Sequence, residues 1–229
     1  MNIVGVITGL QSEADCLRTI PTGINLNILV SGVSPANAEA LARQLCESRC
    51  DLLLSFGIAG ALRPGIASGD LLVPASVKQA DGRAWETSAE FRAPLLQRAR
   101  AELPELAVID DAILGTDTLI GRETEKLSAG EETGAAAIDM ESHRIAKVAE
   151  AHGLPMIVVR AVLDDVGTTL PAFVKSAVTA EGTPNYARVF TGTLLKPWDI
   201  KKLVGLARLN RAAHRTLRRV APILGAVMN

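Results

Sequence analysis

Apolar residues in this chain gather mostly in short, β-branched runs. Six of them, at 3–7, 27–30, 52–56, 70–73, 112–114 and 156–161, have the length and composition of buried strands. Between some of these runs the spacing becomes helical. Ser34 and Pro35 read as an N-cap and first-turn pair, and 36–49 then carry apolar residues at helical intervals. A second helix is predicted over 140–152, stopped by Gly153, Leu154 and Pro155. The alternation predicts an α/β fold, a single domain with a mixed, largely parallel central sheet flanked by helices. Sites in such sheets lie beyond the carboxyl ends of strands. The less ordinary residues fall there: Gly9 to Glu13 after the first run, Gly57 to Gly60 after the third, and Asp164 and Asp165 after the last.

From 199 onward the pattern is helical again. Leu206, Leu209, Ala213, Leu217, Val220 and Leu224 share one face, and Arg208, Arg211, Arg215, Arg218 and Arg219 mostly lie elsewhere. Charge sharpens this division. The whole chain is balanced, with 24 Lys+Arg against 25 Asp+Glu, so no overall field favours nucleic acid. Yet 196–229 holds eight basic residues and one acid, a net +7 that leaves −8 on the rest. The expected organisation is a domain at 1–195 and a basic amphipathic helical extension at 196–229, divided within the turn-rich stretch 184–197. A helix of this kind suits an anionic membrane surface, a peripheral contact at the inner membrane. The plainer and more common alternative is a terminal helix packed on the domain or at a subunit interface.

No run approaches the ~18 uninterrupted apolar residues of a membrane span. Cys16, Cys46 and Cys50 are odd in number and lack metal-ligand spacing, and no basic leader precedes the first apolar run, which fits a reducing cytoplasm. His143, His152 and His214 have no thiol or carboxylate at zinc-binding intervals. No metal or cofactor is expected.

The candidate chemistry rests on carboxylates. Glu13, Glu141 and Asp164 are distant in sequence, but each lies just beyond an apolar segment that would carry it to one edge of the sheet. Each also has an ordinary explanation: Glu13 in the first turn of a helix, Glu141 facing solvent from one, and Asp164 with Asp165 capping a turn. Taken singly, the ordinary explanation ranks first.

Taken together, the segments resemble the nucleoside phosphorylase and nucleosidase superfamily, especially the bacterial methylthioadenosine/S-adenosylhomocysteine nucleosidases, over residues 1 to about 170. The matching stretches are 1–7 with the turn to Glu13, Ser31-Gly32-Val33, 57–61, 69–73, 115–120, Ile138-Asp139-Met140-Glu141 and 160–164. The resemblance implies cleavage of a purine nucleoside's N-glycosidic bond, which builds positive charge on the sugar and negative charge on the purine. Carried over by position, Asp164 protonates the purine N7, Glu141 accepts the ribose hydroxyls and Glu13 handles water. Met140 packs on the sugar face, Leu119 replaces an aromatic ring against the base, and Ile120 offers backbone groups to the purine edge. Gly57 and Ile58 belong to the substrate-binding segment. Core packing is the ordinary explanation for Leu119 and Ile120.

Phosphorylases of this superfamily hold phosphate with arginines and a serine, including an Arg-x-Gly-Ser pattern on the third strand. Here that stretch reads Ser55-Phe56-Gly57-Ile58, and Glu13 adds an anion where an anion would be repelled. These residues predict water as the nucleophile, although Ile58 also replaces the serine that helps position it. The basic tail with a nucleosidase-like core further resembles the hopanoid-associated phosphorylases, which remove adenine from adenosylhopane. That resemblance implies a lipid-linked nucleoside as substrate and, with the superfamily, a homo-oligomer. A nucleoside sensor without catalysis is the alternative, with Ile58 and Leu119 as eroded machinery.

Overall fold

The computed structural model describes residues 3–20, 23–169 and 199–228. Strands β1 (Ile3–Thr8), β2 (Asn25–Val30), β3 (Leu52–Ala61), β4 (Leu71–Leu72), β5 (Ser76–Lys78), β6 (Ala84–Glu86), β7 (Val108–Ile109), β8 (Ile113–Gly115), β9 (Ala137–Asp139) and β10 (Met156–Asp164) form one ten-stranded sheet. Helices α1 (Gln11–Cys16), α2 (Pro35–Glu47), α3 (Ala89–Glu102), α4 (Glu123–Thr133), α5 (Ser142–His152) and α6 (Asp199–Met228) accompany it. Six of the nine strand pairings are parallel and three antiparallel, so the sheet is mixed and largely parallel as expected.

The period of two along the central strands divides the core between two faces. Leu52, Leu54 and Phe56 of β3, with Ile157, Val159 and Ala161 of β10, pack under α3 and α6. Leu53 of β3, with Met156, Val158 and Val162 of β10, points the other way, against Ala38, Ala42 and Leu45 of α2 and Ile145, Ala146 and Ala149 of α5. Local signals match the helix ends. Ser34 Oγ accepts from Asn37 N at 3.3 Å, and Gly153 closes α5 in the left-handed conformation (φ 62) that a glycine adopts without strain.

Two expectations change. Gly57 to Gly60 do not follow the third strand but lie inside it, since β3 runs on to Ala61. And the apolar face of α6 is not free: Ala213, Leu217, Val220, Ala221 and Leu224 are buried in the same cluster as β3 and β10. Thr216 Oγ1 donates to the Gly69 carbonyl at 2.6 Å, and the His214 imidazole meets Ser12 Oγ of α1 at 2.9 Å. The helix is thus packed on the domain as part of its core, with the arginines outward. The boundary expected within 184–197 lies outside the described residues.

Long strand β3 makes the feature that matters for function. Its first half, Leu52 to Ser55, pairs in parallel with β1, while Gly60 and Ala61 pair with β9 running the opposite way. The carboxyl ends of β1 and β9 therefore approach the middle of β3 from opposite directions. The gap left between them opens at Gly57 and Ile58. On the far edge of β3, β10 ends beside the same gap, after a β-bulge between Val162 and Asp164.

Candidate active site

A cavity of about 150 Å³ occupies this fork. Glu13, Gly57, Ile58, Leu119, Ile120, Met140, Glu141 and Asp164 all line it, so these eight candidate site residues reach one place. Leu10, Val33, Ile138 and Leu163 add further apolar wall.

Glu13 enters through α1, lying in the first turn of that helix as its ordinary explanation had it. Its Oε2 accepts from Leu10 N at 2.8 Å, the first-turn role its position suggests, while Oε1 accepts from Ile58 N on β3 at 3.0 Å. Burial pushes its pKa up, opposed by the Arg160 charge and these backbone donors. Gly57 makes room for it: a methyl group there would stand 2.8 Å from the Glu13 carboxyl carbon. Glu141 sits at the start of α5, just beyond β9. A methyl group on Gly9 would lie 3.3 Å from its Oε1 and 3.5 Å from Glu13 Oε2, so both carboxylates converge on the end of β1. Burial, then repulsion from Asp139, pushes the Glu141 pKa up to about 8.

Arg160 supplies the balancing charge and was given no role in the sequence. It is 2% exposed, midway along β10. Its Nε donates to Asp139 at 2.8 Å, and its guanidinium donates to Ser55 Oγ at 2.7 Å and Ser142 Oγ at 3.2 Å. Glu141 Oε2 is 3.6 Å away. Asp139 in turn accepts from Ser142 N at 3.1 Å, fixing the turn that presents Met140 and Glu141. Ser55 is therefore committed to Arg160 and does not line the cavity. The absence of the arginine from β3 did not leave the site without a cation, but this one is matched by Asp139. An arginine within the apolar run 156–162 was a readable signal, because a buried charge requires partners.

Asp164 lies across the cavity, 1% exposed. Its Oδ2 is in a short ion pair with Lys126 of α4, which also donates to the carbonyls of Asp165 at 2.9 Å and Thr168 at 2.8 Å. Burial raises the Asp164 pKa, and the Lys126 charge opposes this. Nothing in the sequence around Lys126 announced it. The cavity thus holds three carboxyl groups with raised pKa values on two walls, separated by apolar surface, an arrangement suited to moving protons at two ends of one small molecule.

Residues 17–194 match the family described as the Phosphorylase superfamily. A futalosine hydrolase of Streptomyces coelicolor is 31% identical over 176 residues, 66% of this chain and 71% of that protein. A 5'-methylthioadenosine/S-adenosylhomocysteine nucleosidase of Chromohalobacter salexigens is 26% identical over 178 residues, 69% of this chain and 76% of its own. The fold is similar to that of a 5'-methylthioadenosine/S-adenosylhomocysteine nucleosidase from Neisseria meningitidis in complex with methylthio-immucillin-A, with a TM-score of 0.74, 17% identity, and coverage of 99% of this chain and 100% of that one.

Proposed function

Because the chain belongs to the Phosphorylase superfamily, we propose that its cavity hydrolyses the N-glycosidic bond of an adenine nucleoside. The observation that carries this reading is the convergence of Glu13 and Glu141 at Gly9 with Asp164 on the opposite wall. Asp164 delivers a proton to the purine as the bond breaks, and Glu13 takes one from the attacking water. Glu141 engages the ribose hydroxyls. With its pKa at about 8, it carries a proton in the free protein at neutral pH and can donate to one hydroxyl while accepting from the other.

The nucleophile follows from charge. Phosphate brings about two negative charges and needs unmatched cations or donors. Arg160 is paired with Asp139, leaving one buried nitrogen, Nη1, without a partner among the described residues, and Glu13 stands nearby, so a phosphate would find a single cation already shared with a carboxylate. Water carries no such penalty.

The cavity walls beyond the acids are apolar, including Leu10, Val33, Leu119 and Leu163. They favour an apolar 5′ substituent, and a triterpenoid group such as that of adenosylhopane is the finer assignment we favour. Arg208, Arg211 and Arg215 are exposed along one side of α6 and would supply electrostatic contact with anionic headgroups without insertion, since the apolar side is already buried. Assembly as a homo-oligomer belongs to the same reading.

The test is adenine release from a series of 5′-substituted adenosines. Turnover efficiency should rise from hydroxyl through methylthio to long alkyl groups, and more so when the long-chain substrate is held in anionic vesicles. A protein that prefers adenosine itself would contradict the apolar-substituent assignment, and one that releases no adenine from any of them would contradict the nucleosidase reading.

A further inference from the structure

The pairing of Lys126 with Asp164 sits uneasily with a simple acid. A neighbouring cation favours the carboxylate, whereas the reaction needs a carboxylic acid before the bond breaks. The geometry resolves the conflict. Lys126 is fully buried, and its three N–H bonds are all used, by Asp164 Oδ2 and by the Asp165 and Thr168 carbonyls. Both carbonyls are obligate acceptors, so the ammonium form satisfies every bond. Its grip engages one carboxyl oxygen. The other, Oδ1, is left out of this grip; a methyl group on Gly60, which lines the cavity, would stand 3.4 Å from it and 3.6 Å from Oδ2.

Resting on the nucleosidase reading, we propose that Lys126 is a positioning residue for the departure of the base. It fixes Oδ2, leaves Oδ1 to carry the proton that passes to the purine, and stabilises the carboxylate that remains. In the step so described, the C1′–N9 electron pair goes to the purine and the Oδ1 proton goes to a purine nitrogen. Water gives its oxygen to C1′ and a proton to Glu13. Asp164 ends ionised beside the ammonium, so its loss of a proton creates no unpaired buried charge.

The other charged groups near the pair are few among the described residues. Asp165 follows Asp164 directly and opposes its ionisation. On α4, Glu123 is exposed and Glu125 is engaged with Arg122. Across the cavity stand Glu13, Asp139, Glu141 and Arg160.

Removing the lysine charge should therefore make Asp164 a weaker acid. The test compares wild type with Lys126→Met and Lys126→Arg on two substrates: 5′-methylthioadenosine, whose base needs a proton, and p-nitrophenyl riboside, whose leaving group does not. Lys126→Met should lose about 10-fold or more of kcat/KM on the adenosine derivative, with the alkaline limb of its pH profile moved up by about one unit or more. On the nitrophenyl riboside it should stay within about 3-fold of wild type, since no general acid is required there. Lys126→Arg should restore the limb. If the Met variant fails to fold, Lys126→Gln removes the same charge and carries the same expectation. An unmoved limb in a folded variant, or equal losses on both substrates, would overturn the proposal. Wild-type protein that cleaves neither substrate would instead remove the nucleosidase reading on which it rests.

Discussion

Glu141 would ionise near 4.5 in an unfolded chain, but in the folded protein burial and Asp139 hold its pKa at about 8. Between those values the folded state binds the extra proton, so stability is fully present at low pH and is lost as pH rises toward 8. Glu13 and Asp164, raised in the same direction, add to that slope. Glu141→Gln should accordingly show a shallower fall in Tm between pH 5 and pH 8 than wild type, because the amide has no proton to lose. Parallel Tm profiles for the two proteins would contradict the burial account. Gly57 offers a second test at this scale. Its backbone is ordinary strand, so alanine fits the main chain, but the methyl group collides with the Glu13 carboxyl. Gly57→Ala should keep its fold and lose on the order of 10²-fold in kcat/KM, the scale of a misplaced general base. Wild-type turnover in that variant would mean Glu13 is not used.

These residues also show what was legible. Glu13, Glu141 and Asp164 were marked because each follows an apolar run within an ordered set of matching segments. Arg160 was equally visible, a cation among β-branched residues, and was passed over. Lys126 was not visible, because its partner is 38 residues away and α4 has no pattern that points inward.

At the scale of elements, the long runs were legible, and of the short strands β4 and β8 were anticipated at 70–73 and 112–114 while β5, β6, β7 and β9 were not. Strands β4 to β9 have two or three residues each, too few to show a period of two. Helix α3 was hidden by Pro94, and α1, only six residues long, was legible only as the ordinary explanation for Glu13. The end of β3 was set too early because glycines ordinarily punctuate strands. Here Gly57 and Gly60 are the positions that let Glu13 and Asp164 come close. Helix α6 was recognised from its spacing, but spacing does not reveal what covers an apolar face. Its burial has a consequence: Leu217, 0% exposed, is buried in the cluster that α6 shares with β3 and β10. Leu217→Ala should lower the free energy of unfolding by about 2–5 kcal/mol in a urea titration. A loss below about 0.5 kcal/mol, the scale of a surface substitution, would place the helix outside the cooperative core.

For the molecule as a whole, the fork in the sheet explains why the acids meet. Strands β1 and β9 run head to head along β3, β10 ends beside them, and the loops beyond all three ends share one cavity. No pattern along the chain encodes that meeting; it follows from the order of strands, which a single sequence does not fix. The family name points to phosphate, whereas the charges around the cavity point to water. One measurement separates these directly. An adenine nucleoside is incubated with the protein in phosphate-free buffer made with H₂¹⁸O, and the sugar product is examined by mass spectrometry. The account predicts adenine together with a free sugar carrying ¹⁸O at C1′, at a rate unchanged when phosphate is added. Turnover that requires phosphate and yields a sugar 1-phosphate would contradict it.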